Sequence, residues 1–360
     1  MDKTNDIKGK LRVFLVDDSL IAITLLKRML STAPDLEVVG TAKNGKVALE
    51  LIPSGRPDVI LTDLHMPVMD GFELTKELMA IYPKPILVVS ASVNEGNRNV
   101  FELLEAGAVD VFPKPRSGLE AEFMGQADDL INRIRILSGV RVFRKPKKEP
   151  EKPTIIPPPD FRLPEKHGLL QIVAIGASTG GPQAFQYILT RLPSSFNLPL
   201  VCIQHIGQYF IEGFTEWLRS ICSIKIEIAR EGLTPIPGTA YFPSGDAHLL
   251  IDENGKFMYS IDRPVNGHRP SISETFKSVA KHFGKGSMGV LLTGMGNDGA
   301  EGLKAMAYEG GLTIAQDEAT SIVFGMPKCA IELGAAGKVL PLEEIAPMII
   351  SAAKEGATTP

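Results

Sequence analysis

Two patterns of apolar and polar positions repeat along this chain: short apolar runs, and longer stretches in which apolar residues recur every three or four positions. The first pattern is typical of buried strands and the second of amphipathic helices. Up to residue 135 the apolar runs predict strands at 11–16, 36–40, 59–62, 86–90 and 109–112. Helical spacing predicts helices at 20–30, 45–51 and 95–105. Strands that alternate with helices across short loops form a parallel sheet with helices on both faces.

The same alternation returns after residue 169. Further strands are predicted from residue 172 and at 198–204, 224–229, 239–242, 289–292 and 312–315, with a hairpin of 248–251 and 257–260 around Asn254-Gly255. Helices are predicted at 210–219, from 271 and at 302–308, and the remainder after 315 is predicted mostly as helix. The segment Ser271-Ile-Ser-Glu274 predicts a capping box at the start of its helix.

Between the two halves, residues 136–168 lose this periodicity. Proline and lysine dominate, as in Lys145-Pro-Lys-Lys and Pro157-Pro-Pro, which is typical of a semi-rigid linker. The sequence therefore predicts two doubly wound α/β domains with parallel sheets, at 10–135 and 169–355, joined by a Pro/Lys-rich linker.

Composition and charge narrow the class of protein. Of 360 residues, 44% are hydrophobic and 22% are charged, as in ordinary globular domains. No apolar run is long enough to cross a membrane, so we expect no membrane insertion. Three cysteines without paired spacing argue against a disulfide framework or a zinc site and favour a reducing, cytoplasmic compartment. A net charge of −4 gives no reason to expect nucleic acid as a partner.

Polar side chains gather at the predicted strand ends of the first domain. Asp17 and Asp18 follow the first strand, Asp63 follows the third, and Ser90 and Lys114 lie at the ends of later strands. Because ligands of parallel sheets collect at the carboxyl ends of the strands, we expect these side chains to converge. Three converging carboxylates need a compensating cation, and such oxygen ligands suit Mg²⁺ beside a phosphoryl group. Solvated acidic loops would explain any one pair, but not so readily the whole set.

In the second domain, the stretch from Ile172 to Pro182 predicts a strand, a tight turn and a helix start, with the Ser178 hydroxyl raised above the sheet edge. His205 and Asp298 follow two further apolar runs. A serine nucleophile needs an imidazole base, and the imidazole needs a carboxylate to orient it, so this set fits acyl transfer. Taken singly, Ser178 and Asp298 could each cap a helix, and His205 could be a buried structural histidine.

Two other kinds of site fit the Ser178 turn less well. A dinucleotide site would need Gly-x-Gly-x-x-Gly, but Ser178 occupies the position of the second glycine, and no acidic ribose partner is evident. A serine–lysine hydrolase would need a lysine near Ser178, and the helix start that follows has none.

Residues 10–135 resemble the receiver domains of two-component response regulators. The resemblance rests on four segments in order: Val16-Asp-Asp-Ser, Leu61-Thr-Asp-Leu-His-Met-Pro-Val-Met-Asp-Gly, Val89-Ser-Ala and Pro113-Lys-Pro. It implies a flavodoxin-like fold in which Asp63 accepts a phosphoryl group from a chemotaxis histidine kinase. Mg²⁺ would be held by Asp17, Asp18, Asp63 and the carbonyl of His65. Ser90 would bind the phosphoryl oxygen, and Lys114 would form an ion pair with it.

One position departs from the receiver pattern. Three residues before Lys114, where the family usually carries a switching aromatic residue, this chain has Val111. The neighbouring Phe112 would point to the opposite face of its strand, because side chains alternate along a strand. The usual aromatic relay is therefore not expected here.

Residues 169–355 resemble the catalytic domain of chemotaxis protein-glutamate methylesterases, with a Rossmann-like α/β fold. The motifs are Ile175-Gly-Ala-Ser-Thr-Gly-Gly-Pro, Gln204-His205, Gly267-His-Arg-Pro-Ser271 and Leu292-Thr-Gly-Met-Gly-Asn-Asp-Gly-Ala300. The resemblance implies Ser178 as nucleophile, His205 as general base and then acid, and Asp298 as the orienting carboxylate. Met295 would supply an oxyanion-hole N–H and Thr179 would border the cleft. It implies no cofactor for the ester chemistry.

The two resemblances together predict a phosphorylation-activated esterase that hydrolyses glutamate methyl esters on the cytoplasmic helices of chemoreceptors. Methanol would be released, and deamidation of receptor glutamines would be a second activity. Two alternatives stay open: a receiver-gated binding switch without catalysis, and the same esterase in a pathway that controls something other than motility.

Overall fold

The computed structural model describes residues 9–91, 94–95, 98–115, 120–140, 142 and 169–355. The chain divides into two compact units, Met1–Glu149 and Pro150–Pro360. Most of the predicted linker, 136–168, lies outside the described residues, so its boundaries stay predictions. Within the described ranges, no helix combines the length and apolar character that a membrane span requires.

The first unit is built on a five-stranded sheet in which every neighbouring pair is parallel, with the strand order β2-β1-β3-β4-β7. Its strands are β1 (Leu11–Val16), β2 (Leu36–Ala42), β3 (Val59–Thr62), β4 (Ile86–Ser90) and β7 (Asp110–Pro113). The central strands β3 and β4 are buried along their whole length, as expected for a sheet covered on both faces. The parallel sheet predicted for this half is confirmed.

The helices of this unit are α1 (Leu20–Leu30), α2 (Gly45–Gly55), α3 (Gly71–Ile81), α4 (Glu102–Ala106) and α5 (Glu120–Leu137). One prediction is wrong in part, because helix occupies only the end of the segment 95–105. Two residue pairs before it, β5 (Asn94–Glu95) and β6 (Arg98–Asn99), form a short antiparallel ladder. A local ladder competes with the first turns of a helix, whose nucleation is unfavourable.

The second unit carries a seven-stranded sheet in the order β10-β11-β9-β8-β14-β15-β16, again with every described pair parallel. Its strands are β8 (Ile172–Ala177), β9 (Leu200–Gln204), β10 (Lys225–Ile228), β11 (Thr239–Phe242), β14 (Ser287–Leu291), β15 (Leu312–Gln316) and β16 (Lys338–Leu340). The strand β16 was not predicted, because its three residues fall below the length at which periodicity is visible.

The helices of the second unit are α6 (Gly181–Leu189), α7 (Ile211–Ile221), α8 (Ile272–Phe283), α9 (Ala300–Tyr308), α10 (Met326–Glu332) and α11 (Leu342–Glu355). The predicted hairpin is present as antiparallel β12 (His248–Ile251) and β13 (Phe257–Ser260). Ile272 and Phe276 of α8 are fully buried in a core shared with Ile172 of β8 and Leu303 of α9. Helix α8 is thereby fixed against the sheet.

Strand order brings the predicted catalytic residues to one edge of this sheet. The central strand β8 lies between β9 and β14, and each of the three candidates follows one of these strands. In the register of β8 with β9, Ala177 pairs with Gln204, so Ser178 and His205 leave the sheet at the same level.

Candidate active site

Ser178 is held in the turn after β8 by backbone hydrogen bonds on both sides. Its N–H donates to the Thr293 carbonyl at 3.0 Å, and its carbonyl accepts the N–H of Gly181 at 2.8 Å. Helix α6 begins at Gly181, and its N-cap residue is Gly180, which has no side-chain capping bond. The helix-cap interpretation of Ser178 is therefore wrong, and its hydroxyl is not committed to that helix.

Gln204 ties the serine turn to the histidine turn. Its Nε2 donates to the Ser178 carbonyl at 2.8 Å and to the His205 carbonyl at 3.0 Å, and the side chain is buried. A Cβ atom on Gly181 would collide with Gln204 Oε1, so only glycine leaves room for this amide. The motif Gln204-His205 was recognised in the sequence, but this bridging role has no signal in spacing or periodicity.

His205 lies with one ring nitrogen on Asp298 and the other free. Its backbone N–H donates to the Ala177 carbonyl at 3.0 Å, and its Nε2 lies 3.0 Å from Asp298 Oδ2. The Nδ1 atom is buried and has no hydrogen-bond partner among the described residues. The ring of His268 stacks on that of His205, with centroids 3.9 Å apart and planes within 10°.

The Asp298 carboxylate accepts five hydrogen bonds. The Oδ2 atom accepts from His205 Nε2 and from the Ile272 N–H, the latter at 2.7 Å. The Oδ1 atom accepts from the Ser271 hydroxyl at 2.9 Å and from the N–H groups of Ser273 and Gly299. Burial raises the pKa of Asp298, but the hydrogen bonds from His205 and Ser273 outweigh it and hold that pKa well below its ordinary value. An ionised acceptor requires the proton on Nε2, which leaves Nδ1 with the lone pair of a base.

The structure also corrects two helix-cap interpretations around Asp298. Helix α9 has Gly299 as its N-cap and no side-chain cap, so Asp298 does not cap the helix that follows it. It accepts instead from the first turn of α8, where a helix leaves N–H groups unsatisfied. The capping box predicted at 271–274 is half present: Ser271 Oγ accepts the Glu274 N–H at 3.3 Å, but the Ser271 N–H donates to His248 Nδ1 at 3.1 Å.

The loop between β14 and α9 presents the candidate oxyanion donor. Gly294 anchors it, since its N–H donates to the Val323 carbonyl and its own carbonyl accepts the Met326 N–H at 2.9 Å. Thr293 Oγ1 donates to the Thr179 carbonyl at 3.0 Å, so this loop and the serine turn are held together. Within the described residues, no acceptor takes the N–H of Met295. The Met295 N–H is thus available beside the serine turn.

The first unit brings its predicted residues together at the carboxyl edge of its sheet. Oxygen atoms of Asp17, Asp18 and Asp63 lie within 4.8 Å of one another. Lys114 Nζ bridges two of them, at 2.7 Å from Asp63 Oδ2 and 3.0 Å from Asp17 Oδ2. Ser90, at the end of β4, is fully buried, and its carbonyl accepts the Lys114 N–H at 2.8 Å.

The electrostatics of this cluster fit a hard divalent cation. Burial raises the pKa of Asp63 to about 6, although Lys114 acts against this rise and Asp17 adds to it. Burial lowers the pKa of Lys114, but its bonds to Asp63 and Asp17 outweigh that effect and raise it. The ammonium group of Lys114 is thus shared by two carboxylates that repel each other. Oxygen ligands at this spacing are suited to Mg²⁺.

Val111 stands beside Phe112 on β7, and the contacts of Phe112 show which way its ring points. Val111 and Phe112 are both buried, and the Arg133 guanidinium of α5 lies 5.8 Å from the centre of the Phe112 ring. Arg133 also forms a 2.6 Å ion pair with Asp110, the residue before Val111. Phe112 therefore packs toward α5.

Comparison with known proteins matches both units. Residues 173–349 match the CheB methylesterase family, and residues 13–121 match the response regulator receiver domain. Two curated relatives are named protein-glutamate methylesterase/protein-glutamine glutaminase. The one from Methanospirillum hungatei is 41% identical over 93% of this chain and 96% of its own length. The one from Syntrophus aciditrophicus is 39% identical over 95% and 98%. The crystal structure of the Thermotoga maritima CheB methylesterase catalytic domain is 36% identical, covers 51% of this chain and 98% of its own, and has a TM-score of 0.47.

Proposed function

This chain belongs to the CheB methylesterase family, with a receiver domain ahead of its catalytic domain, and we propose that it is a receiver-regulated esterase that hydrolyses glutamate methyl esters on chemoreceptors. The observation that carries the proposal is the buried His205–Asp298 pair, which leaves Nδ1 of His205 free at the strand end beside Ser178. The names of the curated relatives supply the substrate class.

The first half of the proposed reaction is acyl transfer to Ser178. Its Oγ attacks the ester carbonyl carbon while His205 Nδ1 takes the hydroxyl proton, and Asp298 stabilises the imidazolium that forms. The bond to the methoxy oxygen then breaks, and methanol leaves with the proton from His205. The Met295 N–H would hold the oxyanion, and one such donor contributes about 3 kcal/mol to transition-state stabilisation.

The second half returns the enzyme to its starting state. Water gives a proton to His205 Nδ1 and attacks the glutamyl ester on Ser178. The Ser178 oxygen then leaves and takes that proton, and the glutamic acid side chain that is released loses its own proton to solvent. A receptor glutamine would follow the same course with ammonia as the leaving group, because attack by Ser178 makes the same acyl-enzyme from an amide. Thr179 would border the cleft, since its carbonyl is fixed to Thr293.

Regulation would come from the receiver domain. We propose that Asp63 accepts a phosphoryl group from a histidine kinase, with Mg²⁺ held by Asp17, Asp18, Asp63 and the His65 carbonyl. Bound Mg²⁺ would neutralise charge on the phosphoryl oxygens. Lys114 already bridges Asp17 and Asp63, so it is placed to pair with the phosphoryl group, and Ser90 ends the next strand. A cytoplasmic location is part of the same proposal, since receptor helices and kinase would be met there.

The deciding experiment is hydrolysis of a methylated receptor helix by the full chain, measured as methanol release with and without a small-molecule phosphodonor. We expect hydrolysis that increases with the phosphodonor. Ser178→Ala should abolish it, whereas Ser195→Ala, at an exposed serine of the same unit, should not change it. Full activity of Ser178→Ala would contradict the assignment of the nucleophile.

The receiver part is tested separately. Asp63→Ala should keep basal hydrolysis and lose the response to the phosphodonor, and Asp128→Ala, at an exposed aspartate of α5, should keep the response. A response that survives in Asp63→Ala would overturn the regulatory proposal. If the unaltered chain binds receptor helices and never hydrolyses them, the non-catalytic switch is the better explanation.

A further inference from the structure

Ser271 stands between the triad carboxylate and a second buried histidine. It is fully buried at the N-cap of α8, and its hydroxyl donates to Asp298 Oδ1 at 2.9 Å. Its N–H donates to Nδ1 of His248, the first residue of β12. The Nε2 atom of that histidine lies 3.3 Å from the Arg263 carbonyl. One serine thus connects Asp298 to the hairpin that flanks the site.

The direction of the Ser271 hydroxyl proton follows from its two neighbours. A hydroxyl has one proton to donate, and the Glu274 N–H, at 3.3 Å, already occupies its acceptor side. The proton therefore points to Asp298. The same reasoning assigns the His248 ring: Nδ1 accepts from Ser271, so the ring proton is on Nε2 and faces the Arg263 carbonyl.

We propose that Ser271 is a positioning residue for the reaction, which fixes the orientation and charge of Asp298 and through it the basicity of His205. This inference rests on the proposed esterase function. Oδ1 of Asp298 accepts from Ser271, Ser273 and Gly299, and Oδ2 accepts from His205 and Ile272. Removal of the hydroxyl takes one of three donors from Oδ1 and frees the carboxylate to turn about its remaining bonds.

The effect on His205 has a definite sign. A donor to Asp298 withdraws negative charge from the carboxylate, so its loss leaves more charge facing Nε2 of His205. The imidazolium that forms during the reaction is then better stabilised by the carboxylate. Among the described residues, the other charged or titratable groups close to the site include His268, which stacks on His205, and His248. The ion pairs Asp246–Arg269 at 2.6 Å and Glu274–Lys277 at 2.8 Å lie nearby, and the substitution replaces none of these groups.

The test uses Ser271→Gly, because glycine is tolerated at an N-cap far better than alanine, as well as Ser271→Ala. Ser271→Thr keeps a hydroxyl and serves as the conservative variant. The matched control is Thr275→Val, which removes a buried hydroxyl one turn further along α8. This hydroxyl lies 2.7 Å from the Leu249 carbonyl and 3.2 Å from the Ser271 carbonyl, and it does not touch Asp298. Two readouts are measured across pH on the full chain: kcat/KM for the methylated receptor helix, and the rate at which a fluorophosphonate labels Ser178.

We expect Ser271→Gly and Ser271→Ala to lower both rates about tenfold, and to move the acidic limb of both pH profiles upward. Ser271→Thr should restore the position of the limb, and Thr275→Val should lower thermal stability without moving it. Unchanged rates and limb in Ser271→Gly, or an equal shift in Thr275→Val, would overturn the inference. If the unaltered chain labels at Ser178 but hydrolyses no receptor ester, the substrate proposal fails while the labelling rates still decide the role of Ser271.

Discussion

Replacing Asp63 by asparagine should stabilise the receiver domain when divalent cations are removed. In the folded chain Asp63 is buried beside Asp17 and shares Lys114 with it. Burial raises the pKa of Asp63 to about 6, from an ordinary value of 3.8. At neutral pH the buried, ionised carboxylate therefore lowers the free energy of unfolding, and the neutral amide of asparagine does not have this effect.

The pKa difference sets the size of the effect and its dependence on pH. A folded pKa about 2 above the unfolded one corresponds to about 3 kcal/mol, at 1.36 kcal/mol per pKa unit. Because the folded pKa is raised, the stabilising contribution of the protonated acid is complete below pH 3.8 and is lost as the pH rises through about 6. Asp63→Asn should thus gain up to about 3 kcal/mol at pH 7.5 and below about 1 kcal/mol at pH 4.

Calorimetry of the full chain in EDTA can measure this difference, with the receiver transition identified as the one that moves when Mg²⁺ is added. For a domain of this size, about 3 kcal/mol corresponds to a rise in Tm of roughly 10 °C. Added Mg²⁺ should stabilise the unaltered receiver and reduce the difference in Tm between it and Asp63→Asn, since asparagine offers the cation no charge.

The control is Asp128→Asn, which makes the same chemical change at an exposed position of α5. It should leave the Tm of the receiver within 2 °C, roughly the scatter of neutral surface substitutions. If Asp63→Asn lowers the Tm in EDTA at pH 7.5, or if its gain is the same at pH 4, the reasoning from burial is refuted.

Three further substitutions test other parts of the structure. Asp298→Asn should lower kcat by up to about 10⁴-fold with an unchanged fold by circular dichroism, because the amide no longer fixes the His205 tautomer; a loss below tenfold would contradict this. Gly181→Ala should push Cβ into Gln204 and lower the unfolding free energy of the catalytic domain by about 1–3 kcal/mol in urea; an unchanged midpoint would show that the amide can move aside. Arg133→Met should remove the 2.6 Å ion pair with buried Asp110 and cost the receiver about 3 kcal/mol by calorimetry, partly recovered when Asp110→Asn is added; no recovery would mean that the loss lies in packing.

The elements that hold both sites could be predicted because they obey local periodicity. The strands that precede Asp63, Ser178 and His205 are apolar runs, and each strand ends at the residue directly before the candidate side chain. The rule that ligands gather at the carboxyl ends of parallel strands then groups the candidates without coordinates. Strand order cannot be read in this way: the placing of β8 between β9 and β14, which brings Ser178 between the other two candidates, depends on packing across the whole domain.

The predictions that failed concern segments in which local and distant interactions compete. Residues 95–105 have helical spacing, but the ladder of β5 with β6 takes the first part of the segment. Strand β16 is too short to show a period and is defined by its pairing with β15. In each case the deciding partner lies on another strand, which periodicity within one segment does not report.

Asp298 shows most clearly where reasoning from sequence stops. Its residue type and its position after an apolar run predict a carboxylate for His205, and the 3.0 Å contact agrees with that expectation. The N–H donors that keep it ionised come largely from the first turn of α8, some 25 residues earlier in the chain. From the sequence, the motif at 271–274 predicts only a cap for α8, because a capping box concerns residues that are neighbours along the chain. Burial of Ile272 against β8 is what carries those donors to the carboxylate, so the acidity of Asp298 is a property of how the helix packs on the sheet.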